Sequence, residues 1–90
     1  MKVENMKGRS GKPVANQFVI SGPNGHKVFQ SYDSTIAIIQ AGDNPVILDS
    51  HYWDYSVTTG KYRNQFLGET KAETQRKIDS GEYILTDLNQ

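Results

Sequence analysis

Asp49, His51 and Asp54 set one imidazole between two carboxylates within six residues. That set could serve as a metal or acid–base cluster, and on a strand Asp49 and His51 would point to the same side. A metal would still need a further ligand and an outer layer of hydrogen bonds. The competing reading is structural, a capping aspartate beside a partly buried histidine. It is preferred, and neither metal nor cofactor is expected.

Trp53, Tyr52 and Tyr55 are the second chemical cluster, with Lys61 and Arg63 close behind. Aromatic rings stack on exposed bases and cations meet phosphates. The same rings supply the largest apolar area per residue, which a small core needs. Three aromatics in four residues cannot all point inward, so part of the cluster is expected at the surface. An exposed Trp or Tyr beside an Arg is a typical protein-contact hot spot. The expected partner-binding residues are His51, Trp53, Lys61, Arg63 and Asn64.

Familiar catalytic motifs are missing. The glycines form no phosphate-binding loop, and there is neither a Gly-x-Ser-x-Gly elbow nor a His-Glu-x-x-His pair. The chain has no cysteine, so disulfides, thiolate metal sites and a Cys nucleophile are excluded. The chain is therefore read as a non-enzyme.

The clusters sit where a sheet gives way to helices. Residues 1–15 are polar and without periodicity, and are expected to be a flexible lead ahead of a single domain over 16–90. Gln17 to Ile20 and Lys27 to Tyr32 flank a turn centred on Asn24-Gly25 and read as a hairpin. Thr35 to Gln40 is a β-branched run, and Val46 to Leu48 follows Pro45 as a fourth strand. Asp54 or Ser56 can cap the next helix, in which Tyr55, Thr59, Tyr62 and Phe66 form one stripe. Gly60 interrupts it and Gly68 ends it. Thr70 with Glu73 is a capping box for a second helix that Gly81 stops. Tyr83 to Leu85 reads as a last strand. The expected fold is α+β, a small antiparallel sheet of four or five strands packed by two helices in the order β-β-β-β-α-α-β.

Ninety residues with ten basic and ten acidic side chains carry no formal net charge. A strongly basic nucleic-acid binder is not indicated. The nucleic-acid alternative would recruit Lys7, Arg9, Lys12, Lys61, Arg63, Arg76 and Lys77. No apolar run approaches the ~20 residues of a membrane span. The first residues lack the apolar stretch of a signal peptide, so an intracellular protein is expected. An edge strand at Gln17 to Ile20, or Tyr83 to Leu85, is available to pair across a two-fold axis as a homodimer.

Several segments resemble a family of small bacteriophage-encoded proteins of unassigned function. They are Asn16 to Ile20, Phe29 to Tyr32, Tyr52-Trp53-Asp54-Tyr55-Ser56, Thr58 to Arg63 and Phe66-Leu67-Gly68. The Trp-Asp-Tyr-Ser…Thr-Thr…Phe-Leu-Gly part is the most specific, and the resemblance spans Asn16 to Leu88. It implies an accessory protein in the cytoplasm of an infected bacterial host. Such a protein would bind and inhibit or redirect a host or defence protein, for example as an anti-CRISPR factor. A weaker alternative is a sponge for a small ligand or signal nucleotide.

Overall fold

The computed structural model describes residues 2–89. In chain order the elements are β1 (Lys2–Lys7), β2 (Pro13–Ser21), β3 (Lys27–Ser31), β4 (Ser34–Ile39), β5 (Ile47–Asp49), α1 (Val57–Leu67), α2 (Lys71–Ser80) and β6 (Ile84–Thr86). The architecture is α+β, and one sheet takes the strands in the spatial order β1-β2-β3-β4-β5-β6. No helix among the described residues is long and apolar enough to cross a membrane.

Two features of the expected sheet are corrected. It has six strands, and β5 and β6 run parallel whereas the other pairs are antiparallel. The connection from β5 to β6 passes through both helices, and such a crossover brings the chain back in the same direction.

The additional strand is β1, within the stretch expected to be a mobile lead (Met1 lies outside the described residues). In β1 only Met6 is buried, so no apolar pattern marks it. Its order comes from backbone pairing, with Val3 opposite Ile20 and Asn5 opposite Phe18. Asn5 also donates its side-chain N–H to the Val14 carbonyl at 2.9 Å. Consequently Gln17 to Ile20 is an interior strand, not a free edge. The edges are β1 and β6.

Local chemistry explains most of the remaining elements. Asn24 and Gly25 take positive φ of 59° and 86° in the β2–β3 turn, as a right-twisted hairpin requires. The Ser56 hydroxyl accepts the Thr59 N–H at 3.1 Å and starts α1. Thr70 and Glu73 cap α2 reciprocally. Gly68 and Gly81 end the two helices in the left-handed conformation.

The core joins Phe29, Ile36, Ala37 and Leu48 of the sheet to Tyr62 of α1. Phe66 lies 5.7 Å from Phe29, centroid to centroid. The buried residues of α1 are Thr59, Gly60, Tyr62 and Arg63. Tyr55 drops out of the expected stripe because the helix begins after it, at Val57.

Candidate functional site

The corner between β5 and α1 starts at Asp49. Its carboxylate is fully buried and accepts three backbone N–H groups: His51 at 3.0 Å, Tyr52 at 2.7 Å and Leu88 at 2.7 Å. Burial pushes this carboxyl up, and the hydrogen bonds outweigh it and hold the group below the usual carboxylate range. Asp49 therefore folds the turn and pins the C-terminal segment. Asp54 serves elsewhere: its oxygens meet Lys71 at 2.7 Å and Arg63 at 3.4 Å. Hydrogen bonding to Lys71, then to Arg63, holds its carboxyl below the usual range against burial. Asp49, His51 and Asp54 do not converge, and no group of three metal-binding side chains occurs among the described residues.

Arg63 is the centre of the corner, and it overturns one expectation. It was expected at the contact surface, yet it is only 1% exposed. Its guanidinium carbon lies 5.1 Å from the Trp53 ring centroid. Nη1 donates to the Trp53 carbonyl oxygen and Nη2 donates to Asn64 Oδ1 at 2.9 Å. Lying three residues after Gly60, it shares the buried face of the helix. A planar, permanently charged fork suits this task better than an ammonium.

Outside the clamp stand three large exposed side chains. Tyr55 is 69% exposed, Val57 92% and Tyr32 58%. Tyr55 and Val57 flank Ser56, a residue that lines two neighbouring hollows. The first, of about 690 Å³, has Arg63 and Asp54 among its walls together with Val57, Lys61, Asn64 and Lys71. The second, of about 320 Å³, is lined by Tyr32, Asp33, Tyr52 and Tyr55, with the buried Ser31 and Thr59 hydroxyls 3.3 Å apart in its wall. The Tyr52 and Tyr55 rings meet at 69°, 5.2 Å apart. Tyr32 has φ of 54°, an uncommon conformation for a bulky residue. Its N–H donates to the Asn16 carbonyl at 2.7 Å, which holds the turn in place.

Of the other expected contact residues, Lys61 and Asn64 share the larger hollow. Trp53 is half-buried over Arg63, and His51 is exposed with its ring edge-on to Tyr52 at 5.3 Å. Tyr32, Val57 and Lys71 lie outside the expected contact set, and Tyr55, expected in the helical stripe, is exposed. The strand expected to run through Tyr32 ends at Ser31, and Tyr32 sits in the turn before β4.

The seven cations of the nucleic-acid alternative do not share one role. Arg63 is buried, Lys77 pairs with Glu69 at 2.7 Å and Arg76 with Glu82 at 3.6 Å. Lys7, Arg9, Lys12 and Lys61 make no ion pair among the described residues; the first ends β1 and the next two lie in the β1–β2 turn.

No curated protein and no solved structure matches the chain. A family does match, over residues 1–82, and the chain belongs to it: the family of unknown function DUF8033.

Proposed function

We propose that the protein is a non-enzymatic binding module whose contact surface is the aromatic corner. The observation that carries this is the clustering of Tyr32, Tyr55 and Val57, all well exposed, around two adjoining hollows on a buried arginine clamp. Exposed apolar patches with polar borders mark interaction sites. Tyr32 keeps a costly backbone conformation with its side chain in solvent, and such strain concentrates at functional positions. With the phage resemblance added, the partner is a host or defence protein in the cytoplasm of an infected bacterium, which the module inhibits or redirects; an anti-CRISPR factor is one such case.

The test is capture from bacterial lysate by wild type, Tyr55→Ala and Val57→Ser. One partner in fixed stoichiometry, retained by wild type and lost by both variants, supports the proposal. A partner held equally by all three would move the contact surface away from the corner.

The smaller hollow favours a second reading as a small-ligand or nucleotide sponge. At about 320 Å³ it lies at the low end of ligand-pocket volumes. Quenching of tyrosine fluorescence by added nucleotides, abolished by Tyr55→Ala, would select that reading.

A further inference from the structure

The sheet has a second face, and one apolar row crosses it. Side chains alternate along a strand, so residues paired across neighbouring strands share a face. Phe29 points to the helices and meets Phe66. Val28 beside it points away. Val28 is paired with Ile20 on one side and Ile38 on the other. Ile20 is paired with Val3, Ile38 with Ile47, and Ile47 with Ile84. One β-branched residue from each of the six strands thus forms an unbroken row across the sheet. None of the six belongs to the core cluster or packs against it. Val3 and Ile84 at the ends are 62% and 44% exposed. The four between them are half-buried. The adjoining row reads Asn5, Phe18, Gln30, Thr35 by the same pairing. Neither row contains a charged side chain.

We propose that this face is the interface of a homodimer, two copies packed sheet on sheet. Three observations select a second copy as the occupant. A two-fold axis sets a face against itself, and these two rows bring no like charges together. The whole chain has no formal net charge, so two copies do not repel at long range. The size also fits: five steps of about 4.8 Å make the row about 24 Å long. Two rows on two copies bury on the order of 1,000 Å², the lower bound of a specific interface. β-branched ridges of two such sheets interdigitate at a separation of about 10 Å. The assembly leaves both helical layers, and both aromatic corners, facing outward. It is a face contact, distinct from pairing through strand edges, and it stands apart from the role assigned to the corner.

Sedimentation velocity from roughly 10 to 500 µM reads the association directly. Wild type passes from monomer to dimer within that range. Ile38→Thr and Val28→Thr keep β-branching and each raise the dissociation constant at least about tenfold, because an isologous interface meets each change twice. Tyr55→Ala leaves it unchanged, and added salt does not weaken the dimer. Should either threonine variant fail to fold, amide NMR of wild type on dilution takes its place. There the shifts of Ile20, Val28, Ile38 and Ile47 change with concentration and those of the corner do not. A wild type that stays monomeric throughout overturns the proposal. So does a dimer untouched by folded threonine variants, or one whose concentration-dependent shifts lie at the corner and spare Ile20, Val28, Ile38 and Ile47.

Discussion

The guanidinium of Arg63 lies 5.1 Å from the ring centroid of Trp53 and donates a hydrogen bond to that residue's own carbonyl oxygen. One side chain thus holds both the ring and the backbone of the corner. Asn64 and Asp54 take up further donors of the fork. The ring covers a charge that is otherwise out of water, and the charge fixes where the ring sits.

This coupling predicts that Arg63→Lys is not conservative. A lysine keeps the charge and loses the fork. The expected cost is about 2 kcal/mol, from acceptors left without donors. Trp53→Ala is expected to cost about 3 kcal/mol as a large-to-small change. The double variant should fall short of the sum by about 0.5–3 kcal/mol, as neighbouring groups do. Urea denaturation of the three proteins measures this. Strict additivity would mean that the two residues do not share the corner.

Acid should loosen the junction of α2 and β6. Glu69 accepts from Thr74 at 2.6 Å, Lys77 at 2.7 Å and Tyr83 at 2.8 Å. Burial pushes its carboxyl up, and these bonds more than offset that and hold it below its ordinary 4.5. The unfolded chain therefore takes up this proton at higher pH than the folded one. The stabilisation is complete above pH 4.5 and is lost as pH falls below that towards the folded value. Asp49 and Asp54, both held below 3.8, extend the loss to lower pH. Melting temperature should be flat near neutrality and fall through this acid range. Glu69→Gln should melt lower at pH 7 and show a shallower acid slope.

Gly60 offers a stabilising change. A Cβ built there would sit 3.7 Å from both Arg63 terminal nitrogens and 3.8 Å from Asp54 Oδ1, ordinary contact distances. Alanine fits, and it is favoured over glycine inside a helix by about 1 kcal/mol. Gly60→Ala should raise the melting temperature. Gly60→Leu should lower it by pressing on the Arg63–Asp54 pair. Calorimetric melts of the two variants discriminate these effects.

Much of the fold was legible because its signals are local. The Asn24-Gly25 turn, the Ser56 cap, the Thr70–Glu73 box and the Gly68 and Gly81 stops each act within a few residues. Strand β1 was not legible, since it buries only Met6 and is held by pairing to β2. The parallel β6 depends on where two helices return the chain. The site was read in outline and mistaken in depth. The buried side of α1 includes a threonine, a glycine and an arginine, so hydropathy assigned Arg63 to solvent and Tyr55 to the core. The corner's hydrogen bonds bury Arg63, and the start of α1 at Val57 leaves Tyr55 outside.

The most direct test of the corner as a contact surface is a photo-cross-linker placed at Val57, which is 92% exposed and lines the larger hollow. Irradiation of bacteria producing this protein is predicted to yield one dominant adduct. The adduct should disappear when Tyr55→Ala is added, and it should be absent when the same group replaces Asp79 on the exposed side of α2. Position 57 giving no adduct, or the same mixture as position 79, would contradict the account.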